Sequence, residues 1–247
     1  MAIAFVRELA AATGSAQNPA NAARSFTLSA GATAGDLVVL FMLGKLTTNA
    51  DANVVVTDSR GNTWVTDVHN EAANNYAFIA STVQNAAALV AGDTITATIQ
   101  GGNTWALSFF GAWWCEEFSG QAASPWTDAT ASANNASGTS GVTGTTAATA
   151  QADEMAFAGI VVGSTETTLT PSAYTTFTTG LQTGSRAGIA CYKILAATGT
   201  QSESFSWSPN ADFSTALIAT YKAAAAAPKS LAPDLDRRGR RSPILTR

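Results

Sequence analysis

Short runs rich in Val, Ile, Thr and aromatic residues, bounded by Gly, Asn, Asp and Ser, recur along almost the whole chain. Such runs predict β-strands, and no segment carries the periodicity of an amphipathic helix. About a dozen strands at regular spacing predict an all-β, antiparallel sandwich. The predicted strands span residues 3–9, 25–29, 36–43, 53–57, 63–68, 76–83, 93–100, 104–118, 154–162, 174–178, 187–195, 202–206 and 213–222.

A long, weak internal repeat divides the predicted sandwich of residues 1–222 into two halves, about 25–120 and 152–222. The first copy opens with Gly35-Asp36-Leu37 and the second with Asp153-Glu154-Met155, and similar strand patterns follow in the same order. Two related Greek-key halves predict a jelly-roll-like sandwich. Two separate small sandwiches are disfavoured, because each alone would have a thin core. The segment 121–151, poor in large apolar residues, is expected to cross between the halves as an extended connection.

The charge distribution separates the sandwich from a C-terminal arm, residues 223–247. Only 12% of the chain is charged, and Ala and Thr are the commonest residues at 51 and 34 copies. Residues 1–222 carry 7 basic and 15 acidic side chains, whereas the arm carries 6 basic and 2 acidic. The acidic sandwich argues against nucleic-acid binding. No apolar run approaches the length of a membrane span, and the N-terminus lacks the pattern of a secretory signal, so synthesis in a cytoplasm is expected.

Side chains that perform catalysis or bind metals are scarce. His69 is the only histidine and is expected in a polar loop. Cys115 and Cys191 are expected to be structural thiols. Glu116 and Glu117 are adjacent carboxylates, but neighbours on a strand point to opposite faces, so they are expected to emerge into solvent rather than flank one bond. The chain is therefore predicted to be non-enzymatic and to bind no metal or cofactor.

Two further segments carry structural predictions. Asp58 and Gly61 lie where a tight turn favours them, which predicts a hairpin joining the strands at 53–57 and 63–68. The strands at 37–43 and 104–118 are apolar on both faces, so both faces need cover. That cover comes either from the chain itself or from another subunit. The candidate interface residues on the second strand are Trp105, Phe109, Phe110, Trp113 and Trp114.

The arm contains a cluster of four arginines: Arg237, Arg238, Arg240 and Arg241. It is either a solvated tail, a weak contact for nucleic-acid phosphates, or an anchor whose guanidinium groups pair with carboxylates of an acidic protein neighbour. The third interpretation makes these arginines the candidate partner-binding residues.

Four segments of turn and strand residues resemble the jelly-roll domains of structural proteins in tailed-bacteriophage virions. They are VTDSRGNTW (56–64), YAFIA (76–80), GDTITAT (92–98) and EEFSG (116–120), and the resemblance covers residues 25–222. It implies a structural subunit of the virion, made in the host cytoplasm and located on the capsid surface. The expected role is capsid decoration, with the major capsid protein or another virion protein and further copies of this chain, guessed as a homotrimer, as partners. The alternative is a carbohydrate-binding or adhesion module of a tail fibre or exposed head surface, with Trp64, Trp126 or Trp207 as stacking platforms.

Overall fold

A computed structural model describes residues 3–13, 23–46, 53–72, 75–83, 88–101, 104–105, 112–163, 168–177, 181–183 and 186–225. These residues form strands and connecting turns, without a helix and hence without a helix suited to crossing a membrane. The strands are β1 (Ala4–Thr13), β2 (Ala23–Thr27), β3 (Leu37–Lys45), β4 (Val54–Asp58), β5 (Val65–Ala72), β6 (Asn75–Val83), β7 (Thr94–Ile99), β8 (Ala112–Ser119), β9 (Thr127–Asn135), β10 (Gly138–Val142), β11 (Met155–Val162), β12 (Thr168–Pro171), β13 (Thr175–Thr176), β14 (Leu181–Thr183), β15 (Arg186–Ile194), β16 (Ser204–Ala211) and β17 (Ser214–Tyr221).

The two halves of the chain have the same topology. The first half forms a large sheet in the order β1-β8-β3-β6-β5 and a small sheet in the order β2-β7-β4. The second half forms a large sheet in the order β13-β15-β11-β17-β9, with β14 also paired to β15, and a small sheet in the order β10-β16-β12. When the second large sheet is read in reverse, from β9 to β13, its strands correspond one by one to those of the first large sheet, and the small sheets correspond in the order given. The pairings are antiparallel. The predicted all-β, jelly-roll-like sandwich of two related halves is confirmed.

Within the described residues, three apolar cores hold four layers together. The central core lies between the two large sheets and contains Phe41, Trp114, Phe157 and Leu217. A second core lies between the first half's large and small sheets, and a third lies between those of the second half. Each half is thus a sandwich in its own right, and the two large sheets pack face to face. The shared central core supplies the burial that a single half would lack.

Alternate residues of the central strands enter different cores. Along β3, Leu37, Val39 and Phe41 enter the central core, whereas Val38 and Leu40 enter the second core. Every residue of β11 and of β17 is buried. Strands covered on both faces favour apolar or small residues at every position, which explains why they lack the usual alternation of apolar and polar residues, although β17 also buries Ser214, Thr215 and Thr220.

Two connections differ from the predictions. The segment 121–151 does not simply cross between the halves, since it supplies β9 at the edge of a large sheet and β10 at the edge of a small one. Threonine and serine side chains suffice there because edge strands leave part of their surface in water, and β9 and β10 are largely exposed or half-buried.

The turn after β4 is tight but is not a hairpin. Gly61 has a φ of 75°, and the Asp58 carboxylate accepts the backbone N–H of Arg60 at 2.8 Å, as the turn residues predict. However, β4 pairs with β7, and β5 pairs with β6. The turn therefore carries the chain from the small sheet to the large one, and the expected hairpin is wrong.

Candidate functional site

A polar network joins the two halves at one end of the central interface. Asp67 lies on β5 at a register shift between Thr66 and Val68. One oxygen of its carboxylate, Oδ2, accepts the hydroxyl of Tyr221 at 2.8 Å, and the other, Oδ1, accepts the hydroxyl of Thr127 at 2.5 Å. Residues from β5, β9 and β17 thus meet at one carboxyl group.

Burial and hydrogen bonding act on this carboxyl group in opposite directions. Burial is the stronger of the two and holds the pKa of Asp67 above its ordinary value, although hydrogen bonds from Ser81, Thr127 and Tyr221 lower it. Burial, and next the charge of Asp67, raise the pKa of the Tyr221 hydroxyl, which therefore stays protonated and donates. The indole N–H of Trp126 donates to the Ser81 hydroxyl at 2.8 Å and so extends the network.

The strand registers identify the residues that occupy the matching positions at the other end of the interface. β5 pairs Val65 with Ser81 just as β13 pairs Thr175 with Tyr192. β3 begins opposite Phe118 just as β11 begins opposite Tyr221. The four network residues Asp67, Ser81, Thr127 and Tyr221 therefore match Phe177, Tyr192, Phe5 and Phe118, respectively.

The matching end is a cluster of aromatic rings. Phe177 stacks on Tyr192 with ring centroids 4.9 Å apart, and Phe5 stacks on Tyr192 at 5.4 Å. Phe118 meets Phe177 edge to face at 6.1 Å. Two equivalent positions of one duplicated fold thus carry opposite chemistries, apolar at one end and hydrogen-bonding at the other.

A pocket of about 220 Å³ opens beside the polar network. Its lining residues are Val65, Asp67, Ser124, Pro125, Trp126 and Thr127. The walls are mainly apolar, and Asp67 is the only acid among the residues that line it. A cationic group carried on an apolar stem is the chemical type that matches such walls.

The predicted interface tryptophans are covered by the chain itself. Trp114 is fully buried and stacks on Phe41 at 5.4 Å. Trp105 is also buried, and half-buried Trp113 stacks on Phe26 at 5.0 Å. The sequence left open whether the chain itself or another subunit covers these side chains. At these three positions the chain itself does so. The other two predicted interface residues, Phe109 and Phe110, and the arginines Arg237, Arg238, Arg240 and Arg241 lie outside the described residues.

Glu116 and Glu117 point to opposite faces, as predicted, but neither emerges into solvent. Both are fully buried because the next layer covers each face of β8. Glu117 forms an ion pair with Arg7 at 2.8 Å and accepts the backbone N–H of Thr33 at 2.6 Å. Among the described residues, neither carboxyl oxygen of Glu116 has a hydrogen-bond partner, and burial, assisted by the charge of Glu8, raises its pKa to about 10. The expectation of solvated carboxylates is therefore wrong.

The histidine and the two cysteines lie on strands β5, β8 and β15. His69 is exposed but lies within β5, which runs past the predicted strand end, and its ring stacks on Tyr76 at 5.6 Å. Cys115 and Cys191 are buried free thiols, and burial raises the pKa of each. Over the described ranges, no three or more His, Cys, Asp or Glu side chains are grouped so as to hold a metal ion.

Two acids that the sequence analysis did not single out hold equivalent loops. Asp93, just before β7, accepts the Ser59 hydroxyl at 2.9 Å and the guanidinium of Arg60 at 2.8 Å. Glu203, just before β16, accepts the backbone N–H groups of Ser172 at 2.5 Å and Ala173 at 2.9 Å. The signal that could have identified them is their equivalent place in the repeat, immediately ahead of matching strands.

The three tryptophans considered as stacking platforms are not open to solvent as flat faces. Trp126 and Trp207 are buried, and Trp64 is half-buried with its indole N–H bonded to Asp58 at 2.7 Å. Trp207 donates its indole N–H to the carbonyl of Gly138 at 2.9 Å. It nevertheless contributes to the wall of a second pocket, of about 240 Å³, with Thr168, Thr170, Ser206 and Ser208.

Comparison of the chain with protein-family models, with curated proteins and with solved structures gives no match.

Proposed function

We propose that this chain is a non-enzymatic structural subunit of a tailed-phage virion, and that it decorates the assembled capsid. The observation that carries the proposal is the four-layer stack, in which each large sheet is covered on one face by the other half and on the opposite face by its own small sheet. Such a stack makes a stiff block, because close-packed interiors deform little. Stiffness is what a cementing subunit needs in order to transmit restraint between neighbouring capsomers.

The carboxylates also support a structural role. Those of Asp58, Asp93, Glu117 and Glu203 each accept backbone N–H groups of the chain's own loops. Acids used in this way fix connections rather than act on a substrate. The acidic side chains thus help to make the loops rigid at the ends of both sandwiches.

The arm would provide the attachment to the shell. It carries 6 basic and 2 acidic side chains, whereas the rest of the chain carries 7 basic and 15 acidic. Four clustered arginines suit bidentate pairing with carboxylates of a capsid protein. Repetition over a symmetric shell would make many weak contacts sufficient. The subunit would act as a homotrimer, although the buried strand faces give no reason for one.

Purified particles that carry this chain provide the test. The chain is removed from the shells, and recombinant full-length protein is added back, either unchanged or with Arg237, Arg238, Arg240 and Arg241 all replaced by glutamine. We expect the unchanged protein to rebind in a fixed ratio to the capsid protein and to raise the temperature at which the shells rupture. The glutamine variant is expected to rebind weakly. Absence of the chain from the capsid surface, or equal rebinding of both proteins, would contradict the proposal.

The hydroxyl-lined pocket beside Trp207 supports a second candidate, the carbohydrate-binding module. Hydroxyls on neighbouring strands and an aromatic wall suit a sugar ring. A glycan array distinguishes the two roles: Thr170→Glu, in the pocket, should abolish any binding, and Thr176→Glu, exposed on β13, should not. An array without bound glycans removes this candidate.

A further inference from the structure

The duplication shows that the fold does not require an acid at position 67. Phe177 occupies the matching position and closes its end of the interface by stacking on Tyr192. Moving a carboxylate out of water has a free-energy cost, whereas a packed aromatic ring adds apolar burial. Packing alone would therefore favour rings at both ends, and the carboxylate of Asp67 indicates a further role for the pocket beside it.

The pocket suits the end of a basic side chain. Trp126 and Pro125 provide apolar wall for the methylene groups, and Asp67 supplies the acid. The Asp67 oxygens accept the hydroxyls of Ser81, Thr127 and Tyr221, but a carboxylate has about four acceptor positions and can take one further donor. Arginine fits better than a small free cation, because its stem covers apolar wall while its planar group bonds the carboxylate.

The arm leaves the described structure close to this pocket. The backbone N–H of Lys222 donates to the carbonyl of Trp126 at 2.7 Å, and that of Ala224 donates to Gly120 at 2.8 Å. Ala225, the last described residue, is three residues from Lys222 and hence within about 11 Å of it. The twelve residues that follow Ala225, up to Arg237, can span up to about 40 Å, which is ample for the chain to turn back to the pocket.

The charged side chains near the start of the arm also favour its folding back to the pocket. Asp128 and Glu154 lie beside it, since Gln151 bonds both the carbonyl of Ala223, at 2.7 Å, and Glu154, at 3.2 Å. Lys222 pairs with Asp128 at 3.3 Å. With Asp67, three acids and one lysine lie close to the first residues of the arm, so the formal charge there is negative whereas the net charge of the arm is positive.

We propose that the pocket lined by Asp67, Pro125 and Trp126 is a docking site for an arginine of the chain's own C-terminal arm, drawn from the cluster Arg237, Arg238, Arg240 and Arg241. The guanidinium bonds the Asp67 carboxylate, and the arginine stem lies along Trp126 and Pro125. This inference concerns the free chain and does not rest on the proposed function.

Full-length protein in solution provides the test, with the indole N–H resonance of Trp126 as the probe and that of Trp207 as the internal control. Replacing all four arginines by glutamine should shift the Trp126 resonance and leave the Trp207 resonance in place. High salt should shift the unchanged protein toward the same position, because it screens the ion pair. Identical Trp126 resonances in the two proteins would overturn the proposal.

A synthetic peptide with the sequence of residues 226–247, added to the glutamine variant, tests the pocket directly. It should restore the original Trp126 resonance saturably, and a peptide with the four arginines replaced by glutamine should not. Adding Asp67→Asn to the protein should weaken peptide binding roughly tenfold or more, the effect of losing one charge-assisted bond. Equal affinity for the two proteins would overturn the assignment to this pocket.

Two further measurements address a folding failure of the Asp67→Asn variant and docking of the arm between two copies of the chain. If Asp67→Asn fails to fold, Ser124→Arg places a competing guanidinium at the exposed rim without touching the hydrogen bonds of Asp67, and it should displace the arm as judged by the Trp126 resonance. Sedimentation over a wide concentration range identifies the source of the arm. A Trp126 shift that appears only as the chain self-associates would assign the pocket to the arm of a second copy and overturn docking within one chain.

Discussion

The ring of Phe41 lies directly against the backbone of Gly159, so that a Cβ built on Gly159 would be 2.6 Å from Cε1 of the ring. The two residues occupy the same position in the repeat, the fifth residue of β3 and the fifth of β11. Each therefore faces its own equivalent at the centre of the interface between the halves. One half supplies a large ring and the other supplies the space for it, which two identical halves could not do.

Gly159→Ala should destabilise the protein by about 1–3 kcal/mol, since three atoms of the Phe41 ring lie within 2.8 Å of the new methyl group and the ring is fully buried. Urea denaturation of the full-length chain measures the change in the free energy of unfolding. Phe41→Leu should itself be destabilising, but combining it with Gly159→Ala should cost less than the sum of the two single changes, because the smaller side chain leaves room. Additive losses, or an unchanged midpoint for Gly159→Ala, would show that the ring does not depend on this glycine.

The sequence predicts the duplication and the strand types because both depend on local patterns. The apolar run from Leu37 to Leu43 indicates a strand buried on both faces. It does not indicate what provides the cover, because a partner subunit and the other half of the chain demand the same apolar residues. Which of the two covers the strand depends on packing between residues far apart in the sequence, such as Phe41 against Gly159. A glycine in the sequence does not indicate that an aromatic ring lies opposite it.

The polar network could not be predicted for a similar reason. Asp67 lies in the polar stretch Asp67-Val68-His69, which is typical of an exposed loop. The register shift beside it and the return of Tyr221, 154 residues later, bring the carboxyl group into the interface. Neither feature can be inferred from residues that are close to Asp67 in the sequence.

A double-mutant cycle should detect the bond between Asp67 and Tyr221. Asp67→Asn and Tyr221→Phe should each destabilise the protein by about 1–3 kcal/mol, and the pair should show a coupling of about 1–2 kcal/mol, because a donor or acceptor left without its partner in a buried site costs free energy that the second change relieves. Unfolding free energies from urea titrations give the four corners of the cycle. Thr130→Val, exposed on β9, is the control and should change little. Simple additivity would exclude a direct energetic link between the two side chains.

Glu116→Met should stabilise the protein by about 1–3 kcal/mol at neutral pH, since neither carboxyl oxygen has a partner in the part of the chain that the structure describes and the side chain is fully buried. Glu117→Met, one residue further along β8, is the matched control. It should have the opposite effect, because it removes the ion pair with Arg7 and the acceptor for the N–H of Thr33. Thermal and urea unfolding compare the two variants with the unchanged chain. A loss of stability in both would mean that Glu116 has a favourable role in the core.

The same residue should shape the dependence of stability on pH. Burial, and next the charge of Glu8, raise the pKa of Glu116 to about 10, above the ordinary value of 4.5, so between these two values the folded chain binds more protons than the unfolded chain. Its contribution to the free energy of unfolding therefore falls as pH rises through that window. Glu116→Met should reduce the decline measured between neutral and mildly alkaline pH, and an unaltered slope would contradict the prediction.

Asp36 and Glu154, which precede the matching strands β3 and β11, should make the protein less stable at pH 8 than at pH 5. Burial, and next Glu117, raise the pKa of Asp36 to about 6, and burial, then the charge of Asp128, raise that of Glu154 to about 7. Their ordinary values are 3.8 and 4.5, so the folded chain holds the extra protons at pH 5 and has largely released them at pH 8. Urea unfolding at the two pH values measures the difference.

Glu154→Gln and Asp36→Asn should each lessen this difference, because an uncharged amide replaces the carboxyl group in each case. Asp93→Asn tests the sign of the effect. The guanidinium of Arg60 holds the pKa of Asp93 below its ordinary value, so its contribution is present at both pH values and is lost only as the solution becomes strongly acidic. Asp93→Asn should therefore lower stability by similar amounts at pH 5 and pH 8 and leave the difference between them intact. The prediction is contradicted if Glu154→Gln preserves the full difference in stability between pH 5 and pH 8 and Asp93→Asn removes it. The pH dependence would then arise in the loops rather than at the starts of β3 and β11.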